Sequence, residues 1–177
     1  MTALVVYDSL YGNTSQIADA IASGFGPGTT SHRISELDPQ RLPDFDLLVA
    51  GSPTQGGRPT KRMQEWLAQI PSLVGRGSAS FDTRIDPKAS NGVLRVLIGL
   101  IGFAAPRISR LLAARGAAAV APPEGFIVTG KEGPLQEGEY ARASAWAQAL
   151  AASPVATSKI LSDRPRASQS STKAASA

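Results

Sequence analysis

The chain has 177 residues, 42% of them hydrophobic and 18% charged, which predicts one globular domain with a substantial core. It contains no cysteine, which excludes disulfides, thiolate catalysis and cysteine-bound metal centres, and its single histidine, His32, is too few for a transition-metal site. The net charge of +4 arises mostly beyond Leu150, where four basic residues accompany one acidic residue, so it does not indicate a nucleic-acid-binding domain.

Segment 151–177 differs in composition from the rest of the chain. It is rich in Ser, Ala and Thr and contains no aromatic residue. Such a segment cannot bury enough apolar surface to offset its ordering entropy, so we predict a domain over 1–150 and a disordered basic tail over 151–177. No basic leader precedes the apolar run that begins at Ala3, and we therefore expect a cytoplasmic protein without a transmembrane segment.

Short apolar runs alternate with amphipathic segments along the chain. Runs at 4–7, 32–34, 47–50 and 79–81 predict strands, and runs at 117–120 and 126–128 predict one interrupted final strand. Apolar residues at helical spacing predict helices near 17–25, 63–70, 92–115 and 140–150. This alternation predicts an α/β fold, a three-layer αβα sandwich around a five-stranded parallel sheet.

The predicted helix at 92–115 is unusual because its first half is apolar on every side. Its run of ~10 apolar residues is too short for a bilayer, which needs ~20. We expect Pro106 to kink or break it. Packing against the sheet is one explanation for the apolar surface, and a homodimer interface or a quinone-docking surface is the other.

The loop after the first strand has the character of an anion site. Open parallel sheets bind ligands at the carboxyl ends of their strands, and this loop lies at that edge. It contains no Lys or Arg, which excludes a nucleoside-triphosphate loop, and it lacks the spaced glycines of a dinucleotide fingerprint. Hydroxyl and amide groups at a helix N-terminus suit a single monophosphate, although a simple helix cap explains them as well. The candidate residues are Ser9, Leu10, Tyr11, Gly12, Asn13, Thr14 and Ser15.

The run Val5-Val6-Tyr7-Asp8-Ser9-Leu10-Tyr11-Gly12-Asn13-Thr14 resembles the signature of the flavodoxin family. The resemblance implies strand order 2-1-3-4-5 and non-covalently bound FMN. It also implies that Ser9, Asn13, Thr14 and Ser15 contact the phosphate. Tyr11 stands where the family usually has Thr, and this form is similar to the loop of the quinone-reductase branch.

Two later loops also resemble that family. In the second loop, Ser52 and Thr54 can bond ribityl hydroxyls or the flavin edge, and Gly56 and Gly57 allow the backbone to approach the ring. In the third loop, the resemblance implies that backbone N–H groups reach the pyrimidine side of the flavin. Neither loop contains the Trp and Tyr that enclose the ring in typical flavodoxins, and Trp66 is predicted to be a core residue. The candidate residues are Ser52, Pro53, Thr54, Gln55, Gly56 and Gly57 in the second loop, and Phe81, Asp82, Thr83 and Arg84 in the third.

The resemblance implies an FMN-binding electron-transfer protein that works with a reductase or an acceptor protein and needs no catalytic side chain. Two alternatives stay open. One is an FMN-dependent NAD(P)H:quinone or protoporphyrinogen oxidoreductase, and the other is a cofactor-free module with the same fold.

Basic residues surround the second and third loops of this chain, whereas typical flavodoxins are acidic there. Positive charge stabilises the reduced flavin anion, so we predict a midpoint potential less negative than that of a low-potential flavodoxin. The residues concerned are Arg58, Lys61, Arg62, Arg84 and Lys88.

Overall fold

The computed structural model describes residues 1–86 and 102–153, which form a parallel sheet with helices on both faces. The strands are β1 (Ala3–Tyr7), β2 (Ser31–Arg33), β3 (Leu47–Pro53), β4 (Gly77–Ile85), β5 (Ala118–Ala119) and β6 (Glu124–Val128). The helices are α1 (Asn13–Phe25), α2 (Lys61–Gln69), α3 (Ala104–Ala114) and α4 (Glu139–Ala152).

The strand order is β2-β1-β3-β4-β5, and β6 also pairs with β4. All of these pairings are parallel. The predicted α/β sandwich with order 2-1-3-4-5 is therefore confirmed.

The fifth position of the sheet is shared by two short strands. β5 pairs with Gly77 and Ser78, and β6 pairs with the later part of β4, from Phe81 to Ile85. Residues 120–123 lie between the two strands, opposite only Ala79 and Ser80. This agrees with the predicted interruption of the final strand.

The alternation of side chains along the strands divides the core into two clusters. One cluster contains Val5, Val49 and Phe81 and packs under α1 and α4. The other contains Val6 and Leu48 and packs under α2 and α3. Because successive residues of a strand face opposite layers, neighbouring residues at the end of a strand reach different helices.

Three predictions about elements require correction or lie outside the described residues. β4 is longer than the predicted run because buried polar residues, including Ser78 and Ser80, continue it on both sides of the apolar run. The predicted helix at 92–115 is not continuous, because Gly102 and Phe103 are not helical and α3 begins at Ala104. Pro106 lies in the first turn of α3, where a proline removes no intrahelical hydrogen bond, and so neither kinks nor breaks that helix. Residues 87–101 and 154–177 lie outside the described part, so the dimer or quinone surface at 92–115 and the disordered tail stay predictions, except that Ala151 and Ala152 of the predicted tail are helical and belong to α4.

Within the described ranges, no helix is both long enough and apolar enough to cross a membrane.

Gly24 brings α1 close to α4. A methyl group at this position would overlap the Ser144 carbonyl oxygen and the Ala147 side chain. We expect Gly24→Ala to lower the free energy of unfolding, measured by urea denaturation, by about 1–2 kcal/mol, because the helices must separate. Exposed Ser23 is the control, and Ser23→Ala should change the free energy of unfolding by less than about 0.5 kcal/mol. Equal effects of the two changes would contradict this close packing.

Candidate functional site

The carboxyl ends of β1, β3 and β4 meet at one edge of the sheet, where the strand order reverses. Because successive side chains of a strand point to opposite faces, the last residues of β4 contact two different helices. The Thr83 hydroxyl lies 2.8 Å from that of Thr14 on α1, while the Asp82 carboxylate accepts a hydrogen bond of 2.7 Å from the Ala105 backbone N–H on α3. The edge therefore has one side built on α1 and another built on α3.

The loop between β1 and α1 is shaped by Gly12. Its φ of 88° lies in the left-handed region, and its N–H donates to the Ser9 hydroxyl at 3.1 Å. The first intrahelical hydrogen bond runs from the Gln16 N–H to the Gly12 carbonyl. The N–H groups of Asn13, Thr14 and Ser15 have no carbonyl one turn earlier to bond, which is the arrangement that binds anions at helix N-termini.

A cavity of about 110 Å³ lies beside this helix end, and we call it the α1 cavity. Its polar lining includes Asn13, Thr14, Thr83 and Lys131. The residues that line this small volume thus carry hydroxyl, amide and ammonium groups, which are hydrogen-bond donors.

Gly56 and Gly57 form a tight turn between β3 and α2. Both have positive φ values, 52° and 75°, and the flanking residues Gln55 and Arg58 exchange two backbone hydrogen bonds of 2.8 and 3.0 Å. Positive φ at both central positions is the geometry of a type I′ turn. The turn leaves bare backbone facing the edge of the sheet.

A second cavity, of about 210 Å³, lies against this turn and the start of α3, and we call it the α3 cavity. Gly56, Gly57 and Phe103 line it, and its accessible lining is mostly apolar. The α1 and α3 cavities share Thr54, Arg84 and Ile85 in their linings and so lie side by side along the sheet edge, and we call the two together the groove.

Arg84 is held rigidly between the two cavities. Its Nε and Nη2 donate to the two carboxylate oxygens of Asp82 at 2.5 and 2.8 Å, and its guanidinium carbon lies 3.8 Å from the centre of the Phe103 ring. A methyl group at Gly125 would overlap the guanidinium, so that backbone also packs against it. The side chain is only 16% exposed, and its orientation is therefore fixed by packing as well as by charge.

Asp82 is fully buried, and its carboxylate also bonds Thr54 and the Ala105 N–H. Burial raises the pKa of this carboxyl above its ordinary value of 3.8, against the opposing effects of Arg84 and the hydrogen bonds. The Thr54 hydroxyl accepts a hydrogen bond of 3.0 Å from the Ala104 N–H, so one polar cluster joins β4, the second loop and α3.

The structure brings most of the predicted site residues to these cavities. The α1 cavity is lined by Leu10, Tyr11, Asn13, Thr14, Pro53 and Thr83, the α3 cavity by Gly56 and Gly57, and both by Thr54 and Arg84.

Several predicted side chains have other partners. Ser15 donates to the Tyr7 hydroxyl at 2.9 Å, and Ser52 accepts a hydrogen bond from the Thr60 N–H at the start of α2. Phe81 is a correction, because its ring is fully buried against Phe126 and does not reach either cavity. Strand alternation points it into the core. Ser9, Gly12, Gln55 and Asp82 support the loops without lining a cavity.

Sequence reasoning missed five lining residues, Ile85, Gly102, Phe103, Val128 and Lys131. Phe103 was assigned to a helix, but it precedes α3 and faces the α3 cavity. Ile85 is 47% exposed and lines both cavities, and Lys131 reaches the α1 cavity from the turn after β6. The glycine-rich stretch from Gly130 to Gly133 was the available signal for that turn, but the sequence does not show which loop it contacts.

The predicted basic surroundings are largely neutralised by local partners. Arg62 pairs with the buried carboxylate of Asp8 at 3.0 Å, and Lys61 lies 3.6 Å from Glu65. Arg84 pairs with Asp82, as described above, Arg58 is exposed beside the Gly56–Gly57 turn, and Lys88 lies outside the described residues. The prediction of a raised potential therefore depends on Arg58 and on the balance of charge within the Asp82–Arg84 pair.

A parallel sheet of order 2-1-3-4-5 with a polar groove at its switch point defines the class of flavodoxin-like domains. The family model described as Flavodoxin matches residues 5–146, and the chain belongs to the flavodoxin family. Membership implies a flavin cofactor and electron transfer to redox partners.

Solved structures share the fold at low sequence identity. A flavodoxin from the domain Archaea is 19% identical with a TM-score of 0.63, over 85% of this chain and 96% of that chain. Oxidised flavodoxin 2 from Bacillus cereus is 22% identical with a TM-score of 0.63, over 85% and 98%. A flavodoxin, WrbA-like protein from Agrobacterium tumefaciens is 18% identical with a TM-score of 0.57, over 90% and 99%.

Proposed function

We propose that this chain binds FMN in the groove formed by the α1 and α3 cavities and carries electrons between redox partners. The observation that carries the proposal is that the two cavities adjoin each other and share Thr54, Arg84 and Ile85 in their linings. One end of the groove offers hydrogen-bond donors, and the other offers apolar surface. A flavin mononucleotide has the same polarity, with a phosphate at one end and an aromatic ring system at the other.

The donor set of the α1 cavity fits the phosphate. Asn13 and Thr14 would contribute backbone N–H groups of the α1 N-terminus, which carries a partial positive charge of about half a unit. The Thr14 and Thr83 hydroxyls bond each other and can each turn toward an oxyanion. Ser15 would contribute through its backbone rather than its hydroxyl.

The α3 cavity fits the ring system. Gly56 and Gly57 place no side chain against it, so the backbone can approach a planar ligand closely. Phe103 would supply the aromatic contact that the second and third loops lack. When bound, FMN supplies reversible electron transfer, and the residues around it set its potential.

The lining favours a carrier over an enzyme. Among the described residues that line the α3 cavity, Arg84 is the one titratable group, and it is engaged by Asp82. This part of the structure thus offers no side chain suited to moving protons for a substrate at neutral pH. Binding and tuning of the flavin are the roles that it can fill.

The test is a titration of the purified protein with FMN, followed by absorbance and by quenching of flavin fluorescence. We expect one FMN per chain and, after chemical reduction, rapid electron transfer to an oxidised electron-transfer protein. Without a separate reductase, NAD(P)H and a quinone should give little turnover. Sustained turnover would favour the FMN-dependent oxidoreductase instead, and a protein that stays colourless at saturating FMN would leave only a cofactor-free module.

A further inference from the structure

We infer that Lys131 recognises the ligand's phosphate and thereby makes the groove selective for FMN over unphosphorylated riboflavin. The inference rests on the proposed function. It assigns a cationic side chain from another turn to a phosphate site whose own β1–α1 loop contains no Lys or Arg. The turn after β6 brings this side chain to the α1 cavity beside Asn13 and Thr14, 118 and 117 positions apart in the chain.

The turn that carries Lys131 is fixed against the phosphate loop. The Asn13 side-chain amide donates to the Glu132 carbonyl at 2.8 Å, and a methyl group at Gly133 would overlap that same amide. The turn is closed by hydrogen bonds from the Thr129 N–H to the Pro134 carbonyl and from the Gly133 N–H to the Gly130 carbonyl, at 2.9 and 3.2 Å. The backbone on both sides of Lys131 therefore has a defined position at the mouth of the cavity.

Charge balance supports this role. Two cationic side chains, Arg84 and Lys131, line the α1 cavity, and Arg84 is already paired with Asp82. Lys131 forms no ion pair with any carboxylate of residues 1–86 or 102–153. A phosphate monoester carries nearly two negative charges at pH 7, and a helix N-terminus offsets only about half a charge. An unpaired ammonium group at the cavity supplies the missing positive charge.

The experiment compares FMN and riboflavin binding to the full chain and to Lys131→Gln, by fluorescence titration at low and high salt. We expect Lys131→Gln to weaken FMN binding roughly tenfold at low salt, with a smaller effect at high salt and no effect on riboflavin. Lys131→Arg should retain most of the FMN affinity because it keeps the charge. Lys61→Gln is the matched control, since Lys61 is exposed and pairs with Glu65 on α2.

The outcomes separate this inference from the proposed function. Unchanged FMN affinity in Lys131→Gln, or equal losses for FMN and riboflavin, would overturn the role of Lys131 while leaving FMN binding intact. If the wild-type chain binds neither flavin, the proposed function fails, and inorganic phosphate then tests Lys131. Phosphate should raise the wild-type melting temperature more than that of Lys131→Gln, and equal shifts would overturn the inference.

Discussion

Asn13→Asp is expected to weaken FMN binding by at least about 100-fold while changing riboflavin binding much less. Asn13 is the first residue of α1, lines the α1 cavity and is only 9% exposed. The substitution keeps the size of the side chain and adds a negative charge where the phosphate would lie. Two unit charges 4 Å apart at an effective dielectric constant near 20 interact by about 4 kcal/mol, which exceeds the roughly 3 kcal/mol needed for a 100-fold loss.

The folded protein should tolerate this change. Asn13→Asp replaces the hydrogen bond to the Glu132 carbonyl with two acceptors that face each other, which costs about 1–3 kcal/mol, and a carboxylate at a helix N-terminus regains about 0.3–1 kcal/mol. Asn13→Ala is the control, because it removes the same hydrogen bond without adding charge. Fluorescence titration with both flavins gives the affinities. Equal FMN affinities of the Asp and Ala variants would show that no phosphate lies near this residue.

Asp82→Asn and Arg84→Gln are expected to shift the midpoint potential of bound FMN in opposite directions. Arg84 lines both cavities, and the buried carboxylate of Asp82 balances its charge. Removing the carboxylate leaves a positive charge that stabilises the reduced flavin anion, so the potential rises. Removing the guanidinium leaves the negative charge at pH values above the Asp82 pKa, which the loss of Arg84 raises further, so the potential falls in that range. For a charge about 9 Å away at an effective dielectric constant near 20, the shift is on the order of 80 mV.

The Asp82→Asn effect should depend on pH. Because burial raises the pKa of Asp82, the wild-type carboxyl is protonated over a wider range of low pH than an exposed one. A protonated Asp82 carries no charge, so wild type and Asp82→Asn should have the same potential in acid. Their difference should appear as the pH rises through the Asp82 pKa and then stay constant. Arg84 is the charged group in contact with this carboxyl, and its other contacts, Thr54 and the Ala105 N–H, do not titrate.

Spectroelectrochemical titration with excess FMN measures these potentials. Each single change breaks a buried pair and is expected to destabilise the protein by about 3–5 kcal/mol, part of which bound FMN restores. The double variant should return close to the wild-type potential, because the local charge is again balanced. Asp44→Asn is the control. Asp44 pairs with Arg76, and both residues lie just before β3 and β4, at the amino ends of the strands and so opposite the groove. Shifts of the same sign in both single variants would contradict this electrostatic assignment.

The sheet could be predicted from local patterns because each strand is apolar enough to be seen by itself. Val5 and Val49 mark buried strands, and the alternation with helical segments determines parallel pairing. The extent of β4 could not be predicted, because its buried Ser78 and Asp82 are polar, and the Asp82 carboxylate accepts a hydrogen bond from the distant Ala105 N–H only in the folded chain. A local pattern does not reveal a partner that lies far away in sequence.

The same limit applies to the candidate site, where contiguous residues could be predicted together and contributions from distant segments could not. The β1–α1 loop is contiguous, so its glycine and hydroxyl residues could be predicted together, and Asn13 and Thr14 do line the α1 cavity. The orientation of the Ser15 side chain could not be predicted, because its hydroxyl bonds Tyr7, which faces the same layer, and its contact with the phosphate stays a prediction. Lys131 and Phe103 enter from distant segments, and their contribution depends on how the last strand and α3 are placed.

The break in the last strand has a consequence for how this edge of the sheet can vary. Four residues, 120–123, lie opposite two residues of β4. The register of β6 on β4 is therefore shifted by two positions, an even number, relative to that of β5. An even advance preserves inward and outward faces, and Phe126 stays in the core under α1 and α4. Insertions or deletions of two residues within 120–123 can thus lengthen or shorten the reach of the turn after β6. An insertion or deletion of one residue there would turn Phe126 toward the opposite layer.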